Sequence, residues 1–167
     1  MKIFLIGPMG SGKSKIGRIL SEKLSISLFD IDKEIEKDLN MSITEIIESK
    51  GEILFRNTQK DYLIKTKGLR DCIVSTGGGV IEEIKNLEFL KKEANVVFLN
   101  CSVESQYENT KNSAKRPLLL TNDPKLTLQT LYEKRFDSYK KVSKLELLSD
   151  SMSNDEIANK IINHFNV

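Results

Sequence analysis

The sequence predicts an α/β fold in which a mostly parallel sheet is covered by helices on both faces. Short apolar segments typical of strands alternate along the chain with segments whose apolar residues recur at helical spacing. Strands separated by helices form parallel sheets through βαβ crossovers. The chain has 167 residues and no Pro- or Gly-rich linker that would divide it. This length suits one domain, so we expect a single domain over residues 1–167.

The individual elements follow this alternation. Strands are predicted at 2–6, 27–29, 72–75, 95–99 and 144–148. Helices are predicted at 13–24, from Ser42, at 53–65, 84–92, 103–108 and 126–141, and from Ser153. Ser42 and Glu45 have the spacing of a capping box, and Ser102 and Ser153 stand at N-cap positions. Residues 111–123 show no clear period, so we predict a long loop there.

The composition excludes several classes of function. The 26 basic and 24 acidic residues give a net charge of +2, which favours neither a nucleic-acid partner nor a membrane surface. No apolar run approaches the about 20 residues of a spanning helix, and we expect a cytoplasmic protein. The single histidine, His164, excludes a mid-chain Ser-His-Asp triad and a multi-histidine metal site. Cys72 and Cys101 are predicted to be buried free thiols.

The segment GPMGSGKS, residues 7–14, matches the phosphate-binding pattern G-x-x-x-x-G-K-[ST]. It follows a predicted strand and opens a predicted helix, which is the context that the motif requires. Glycines let backbone N–H groups face phosphate oxygens, and the helix N-terminus adds partial positive charge. We therefore predict that Gly10, Ser11, Gly12, Lys13 and Ser14 bind ATP, with Lys13 on the β- and γ-phosphates and Ser14 on Mg²⁺.

Two carboxylates favour a small kinase among the proteins that carry this loop. The N-K-x-D and D-x-x-G strings of GTPases do not occur in the sequence. Asp30 and Asp32 follow the second strand, and alternate strand residues share a face, so both side chains are expected near the loop. Asp30 would hold Mg²⁺ through its water shell, and Asp32 would orient an acceptor hydroxyl as a catalytic residue. A helix N-cap is the alternative role for Asp32.

Arginine is scarce in this chain, with five among the 26 basic residues. A planar guanidinium suits recognition of a carboxylate, so Arg56 and Arg135 are predicted to bind a carboxylate-bearing acceptor. Ion pairs on a helix surface are the alternative role for these two side chains. Arg18 and Arg70 are expected at the surface.

Two further segments suggest contacts with ligands. Gly77, Gly78 and Gly79 follow the third strand, and their backbone N–H groups are predicted to donate to the acceptor or to the transferred phosphate. Arg116 lies in the long loop, from which it is predicted to cover the phosphates and neutralise charge in the transition state. An exposed linker is the alternative for that loop.

Together these segments resemble the shikimate kinase family. The matching segments, in order over nearly the whole chain, are GPMGSGKS, FDID, GEILFR, STGGGV, KRPLL and YEKRFDSY. The resemblance implies a three-layer α/β/α P-loop kinase fold, with a five-stranded parallel sheet in the order 2-3-1-4-5 and a mobile lid loop at about 111–123. It also implies MgATP-dependent phosphorylation of the 3-hydroxyl of shikimate, in the route to chorismate and the aromatic amino acids.

The resemblance assigns roles to individual residues as well. It implies that Asp32, Arg56, Gly78 and Arg135 hold shikimate and that Arg116 is the lid arginine. Family members often carry an arginine beside the adenine, seven residues before the lid arginine, where this chain has Asn109; Lys111 is a partial substitute.

The cofactors implied are ATP and Mg²⁺, and the expected partners are these small molecules alone, bound by a monomer. The alternatives are a gluconate-type sugar-acid kinase, a nucleotide kinase and a non-catalytic ATP-binding module.

Overall fold

A parallel sheet forms the centre of the molecule. The computed structural model describes residues 1–111, 119 and 121–167. Within them the sheet has five strands in the order β2-β3-β1-β4-β5, and every neighbouring pair is parallel. The strands are β1 Lys2–Ile6, β2 Ser27–Asp30, β3 Cys72–Ser75, β4 Val96–Asn100 and β5 Leu145–Leu148. The predicted fold class and strand order are confirmed.

Helices connect the strands, and their N-termini carry the predicted caps. The described residues form α1 Lys13–Leu24, α2 Ile31–Leu39, α3 Ile43–Lys50, α4 Glu52–Lys65, α5 Ile84–Lys92, α6 Val103–Thr110, α7 Pro124–Val142 and α8 Asn154–Phe165. Ser42 and Glu45 form the predicted capping box, and Ser102 and Ser153 cap α6 and α8. None of the helices that the structure describes is long and apolar enough to cross a membrane.

Helix α2 corrects the interpretation of the two carboxylates. The prediction that Asp30 and Asp32 alternate along a strand is wrong, because β2 ends at Asp30 and α2 begins at Ile31. The Asp30 carboxylate accepts from the backbone N–H of Lys33, so Asp30 is the N-cap and Asp32 lies in the first helical turn. Ile31 and Ile35, one turn apart, are both fully buried, and this apolar pair holds the segment as a helix.

Alternate strand residues build a core on each face of the sheet. Phe4, Val74 and Phe98 point to the face covered by α2, α3, α4, α5 and α7. Their neighbours Ile3 and Val97 point to the face covered by α1 and α8. All five are fully buried, as expected for a parallel sheet between two helical layers. Cys72 and Cys101 are buried free thiols, as predicted.

The carboxyl ends of β1, β2 and β3 bring three candidate segments to one edge of the sheet. The phosphate-binding loop leaves β1, Asp30 ends β2, and the glycine turn follows β3. Ser75 in β3 lies opposite Leu5 on one side and Asp30 on the other. The following residue, Thr76, donates its backbone N–H and its hydroxyl to the Leu5 carbonyl oxygen, at 3.2 and 3.0 Å. Ligands of such sheets bind at this edge.

Candidate active site

The loop of residues 7–14 adopts a backbone that requires glycine. Gly7, Gly10 and Gly12 have φ angles of 143°, 80° and 87°, which L-residues with side chains rarely adopt. At Gly10 a β-carbon would also stand 2.9 Å from the carbonyl oxygen of Gln106 in α6. The loop therefore packs tightly against α6 while its backbone turns around an open cleft.

The side chain of Lys13 is held within this loop. Its ammonium donates to the carbonyl oxygens of Gly7 and Pro8 at 2.8 and 2.7 Å, and the residue is 9% exposed. A buried ammonium requires such acceptors, since desolvation without them is costly. The loop thus fixes a positive charge beside the N-terminus of α1, where phosphate oxygens are favoured.

Ser14 and Asp30 provide oxygen ligands suited to Mg²⁺. The Ser14 hydroxyl donates to Asp30 Oδ2 at 2.6 Å and lies 3.4 Å from the Ser75 hydroxyl. Among the residues that the structure describes, no group of three or more His, Cys, Asp or Glu side chains forms a self-contained metal site. Mg²⁺ is commonly held by one or two protein oxygens together with water and nucleotide phosphates, so the Ser14–Asp30 pair fits this ion.

A polar cleft of about 760 Å³ extends from this loop. It is open to solvent and combines the phosphate-binding loop, the two carboxylates, the glycine turn and residues from α6 and the start of α8. Its lining includes Gly10, Ser11, Gly12, Lys13, Ser14, Asp30, Asp32, Gly77, Gly78, Asn109, Asp150 and Asn154. The predicted nucleotide residues and part of the predicted acceptor site therefore share one cavity.

Each glycine of the turn after β3 faces one predicted acceptor-binding side chain. A β-carbon on Gly77 would lie 2.9 Å from Asp32 Oδ1, and one on Gly78 would lie 3.6 Å from Arg135 Nη1. A β-carbon on Gly79 would lie 2.6 Å from Arg56 Cζ. Three side chains from α2, α4 and α7 therefore converge on one turn.

The turn also adjoins the phosphate-binding loop. A β-carbon on Gly78 would lie 3.3 Å from the backbone nitrogen of Met9. Gly79 itself is buried under the Arg56 side chain, so its close packing, and not cleft exposure, explains the glycine there.

Arg56 is fixed by two residues of its own helix. Its Nη2 donates to Glu52 Oε1 at 2.9 Å, which is the helix ion pair considered from the sequence. Its Nη1 donates to Gln59 Oε1 at 2.8 Å, and Gln59 Nε2 donates to Asp32 Oδ1 at 2.7 Å. Sequence reasoning missed Gln59, and its position one turn after Arg56 was the available signal.

Arg135 is 3% exposed and is anchored by an acid from outside its helix. Its Nε donates to Glu82 Oε1 at 2.8 Å, and its Nη2 and the Lys134 ammonium contact the same carboxylate. Burial raises the pKa of Glu82, but the hydrogen bonds and positive charges of Lys134 and Arg135 outweigh burial and lower that pKa overall. Glu82 was not predicted from the sequence.

Tyr139, one helical turn beyond Arg135, holds the glycine turn from the same side. Its hydroxyl donates to the Gly78 carbonyl oxygen at 2.5 Å. Burial raises the pKa of Tyr139 well above its usual range, so the hydroxyl stays protonated and remains a donor. After Gln59 and Glu82, Tyr139 is a third residue that sequence reasoning missed.

The other described residues that the sequence analysis singled out support the phosphate-binding loop or lie at the surface. Asn109 Nδ2 donates to the Gly10 carbonyl oxygen at 2.9 Å, so this side chain supports the phosphate-binding loop. Lys111 contacts Glu108 on α6. Arg18 and Arg70 are exposed, as predicted. Arg116 lies outside the described residues, and its role stays a prediction.

The fold and the cleft define a P-loop kinase. The phosphate-binding loop, shaped for nucleotide phosphates, lies directly beside the turn of residues 77–79, which can receive a small anionic acceptor. Comparison with known proteins identifies the kind of kinase. The family model for shikimate kinase matches residues 9–166. The chain belongs to the shikimate kinase family, whose members use MgATP as the phosphate donor.

Individual relatives agree with this assignment. The chain is 39% identical over 162 residues to the shikimate kinase of Marinomonas sp. (strain MWYL1), covering 96% of this chain and 89% of that protein. The structure of shikimate kinase from Acinetobacter baumannii in complex with shikimate superposes with a TM-score of 0.95 at 34% identity, covering 99% of this chain and 92% of that chain. Shikimate kinase from Aquifex aeolicus superposes with a TM-score of 0.86 at 32% identity, covering 99% and 96%.

Proposed function

We propose that this chain transfers the γ-phosphoryl group of MgATP to the 3-hydroxyl of shikimate, giving shikimate 3-phosphate and ADP for the route to chorismate and the aromatic amino acids. The convergence of Asp32, Arg56 and Arg135 on the turn of residues 77–79, beside the phosphate-binding loop, carries this proposal. The shikimate bound in the related structure from Acinetobacter baumannii supports the choice of acceptor.

In this proposal Arg56 and Arg135 bind the carboxylate of shikimate. A guanidinium pairs with a carboxylate through two parallel hydrogen bonds, which fixes direction as well as distance. Glu52 and Glu82 hold the two arginines on their other edges, so both are oriented before the acceptor arrives. Such preorganisation lowers the entropic cost of reaching a reactive geometry. Backbone groups of the glycine turn complete the acceptor site.

Asp32 is the proposed catalytic residue for the acceptor hydroxyl. Its carboxylate lines the cleft and faces Gly77, next to the phosphate-binding loop. A carboxylate at that place can accept the hydrogen bond of the 3-hydroxyl and take its proton as the oxygen attacks phosphorus. The proton therefore moves from the hydroxyl oxygen to Asp32 while that oxygen forms a bond to the γ-phosphorus. The bond between the γ-phosphorus and the β-phosphate oxygen breaks, and ADP leaves.

The phosphate-binding loop and its neighbours would stabilise the transferred group. Backbone N–H groups of Gly10, Ser11 and Gly12 and the Lys13 ammonium bind the phosphate oxygens in this proposal. Ser14 and Asp30 would hold Mg²⁺, with Asp30 acting through the ion's water shell. When bound, the ion neutralises charge on the β- and γ-phosphate oxygens. Arg116 would neutralise further charge on the transferred group and help to exclude water.

We also propose that the enzyme works as a monomer in the cytoplasm, where MgATP is available. Light scattering at working concentration tests the oligomeric state, and a dimer would contradict this part of the proposal.

A coupled ADP-release assay tests the function. ADP production is compared with shikimate, gluconate and nucleoside monophosphates as acceptors, with 3-deoxyshikimate to test the attacking hydroxyl. We expect ADP to appear with shikimate alone. Preferred use of gluconate or a nucleotide would overturn the acceptor, and no ADP with any of them would favour a binding module. Lys13→Met serves as the inactive control, because it removes the ammonium from the phosphates.

A further inference from the structure

Gln59 in α4 lies between two groups of the proposed acceptor site. Its side chain is 2% exposed, which is unusual for a residue type that is mostly found at the surface. The amide oxygen accepts from Arg56 Nη1 at 2.8 Å, and the amide nitrogen donates to Asp32 Oδ1 at 2.7 Å. One side chain thus contacts both the guanidinium and the carboxylate.

The two neighbours determine how the amide is oriented. A guanidinium has N–H donors and no acceptor, whereas an ionised carboxylate has acceptors and no donor. With the amide reversed, its NH₂ would face the N–H groups of Arg56 and its oxygen would face the carboxylate of Asp32. Both contacts would be repulsive, so the observed orientation is the one that satisfies both partners. The amide in turn fixes the separation of Arg56 and Asp32.

This bridge lies directly behind the glycine turn. A β-carbon on Gly77 would overlap the Gln59 amide nitrogen and would stand 2.9 Å from Asp32 Oδ1. The bridge is therefore packed against the surface that receives the acceptor, and a displacement of the amide moves Asp32 and Arg56 relative to that surface.

We propose that Gln59 is a positioning residue for phosphoryl transfer: its amide holds Asp32 and Arg56 at a set separation, so that the acceptor's hydroxyl and carboxylate are aligned together. The inference rests on the proposed function. It assigns Gln59 no contact with substrate; the residue acts through Asp32 at one end of the acceptor and through Arg56 at the other. A misplacement of about 1 Å in such an arrangement can cost about 100-fold in rate.

The competing explanation is that Gln59 only stabilises the packing of α2 against α4. A second contact between the same two helices provides a control for this explanation. Tyr62, also in α4, donates its hydroxyl to Asp38 of α2. This contact joins the same two helices without touching Asp32 or Arg56. Tyr62→Phe should therefore lower the thermal stability while leaving the kinetic constants for both substrates unchanged.

Two variants of Gln59 separate the ends of the bridge. Gln59→Met keeps the length of the side chain and removes both hydrogen bonds. We expect KM for shikimate to rise about tenfold and kcat to fall about tenfold, with KM for ATP within about twofold of wild type. Gln59→Glu keeps an acceptor for Arg56 but places a carboxylate against Asp32. It should restore KM for shikimate towards the wild-type value while kcat stays about tenfold low.

The results that overturn the proposal are equally distinct. Wild-type constants in Gln59→Met, an equal rise in KM for both substrates, or the same kinetic change in Tyr62→Phe would each remove Gln59 from a positioning role. If Gln59→Met does not fold, Gln59→Glu decides, and a wild-type kcat overturns the proposal. If neither variant folds, Gln59 is a core residue and the proposal is wrong. A wild-type chain that fails to phosphorylate shikimate in the same assay would instead overturn the proposed function.

Discussion

The guanidinium of Arg56 lies directly against Gly79: a β-carbon on that glycine would stand 2.6 Å from Arg56 Cζ. The φ angle of Gly79 is −88°, which any L-residue adopts, so the backbone there does not require glycine. The requirement comes from the close approach of the arginine. Because Gly79 has no side chain, the positive charge of Arg56 lies against the base of the glycine turn.

Gly79→Ala should displace Arg56 without straining the chain. We expect KM for shikimate to rise by about tenfold or more, because the guanidinium must shift from its present position. KM for ATP should stay near the wild-type value. Gly68→Ala is the matched control, since a β-carbon there would meet nothing within 4 Å. Steady-state kinetics of both variants check this, and an unchanged KM for shikimate in Gly79→Ala would contradict the role of Arg56.

Arg135→Lys should keep the fold and weaken shikimate binding. A lysine ammonium cannot pair with two carboxylates through parallel hydrogen bonds, so either the contact with Glu82 or the contact with shikimate is lost. We expect a loss of about 1–3 kcal/mol in binding free energy, which is about 5- to 160-fold in Kd for shikimate. Isothermal titration calorimetry measures it, with the exposed Arg70→Lys as control. Equal Kd values in both variants would remove Arg135 from the acceptor site.

Asp32→Asn should lower kcat severely while ATP still binds. The amide keeps the shape of the side chain but cannot take the hydroxyl proton, and such proton transfer contributes about 10²–10⁴-fold in rate. We expect kcat to fall by at least about 100-fold. Asp61→Asn, on the exposed face of α4, is the control for a general change of charge. Turnover near the wild-type value in Asp32→Asn would exclude Asp32 from the mechanism.

Glu82→Gln should destabilise the protein in a pH-dependent manner. The pKa of Glu82 is lowered in the folded state, so its charge stabilises the fold above the ordinary glutamate pKa of about 4.3, and this stabilisation is lost as the pH falls through the folded value. Because the side chain is 26% exposed, we expect Glu82→Gln to lower the free energy of unfolding by only about 1 kcal/mol at pH 7. This difference from wild type should shrink towards pH 4 and below.

Urea unfolding of wild type and Glu82→Gln, at pH 7 and at about pH 4, measures this difference in the free energy of unfolding. An equal difference at pH 7 and at acidic pH would show that the lost charge is not responsible. Glu88→Gln, on the exposed side of α5, provides the reference for a glutamate substitution at the surface.

The sequence is informative where structure depends on neighbouring residues. The phosphate-binding loop and α1 are predicted correctly, because the glycines, Lys13 and Ser14 are contiguous and their backbone geometry is local. The caps at Ser42 and Ser153 are also local, since each involves a residue three positions away. Helix α2 was missed because its short apolar pattern, Ile31 and Ile35, follows a strand without a break.

Residues that act across the fold are harder to predict. The meeting of Asp32, Arg56 and Arg135 was expected from the family resemblance, and the parallel sheet provides its physical cause. Gln59 and Glu82 carry no motif, and a polar residue of a helix looks the same in sequence whether it is buried or exposed. Their partners, Asp32 and Arg135, belong to other helices, so these contacts become visible only once the helices are packed.

Strands β1 and β3 are hydrogen-bonded neighbours at the centre of the sheet, with Leu5 opposite Ser75. One strand delivers the loop for the phosphate donor and the other delivers the turn for the acceptor. A slip of β3 by one residue would move the acceptor turn by about 3.3 Å and reverse which side chains face each helical layer. The register of β1 and β3 therefore sets the distance between the two reactants. That distance does not depend on the length of the peripheral loops.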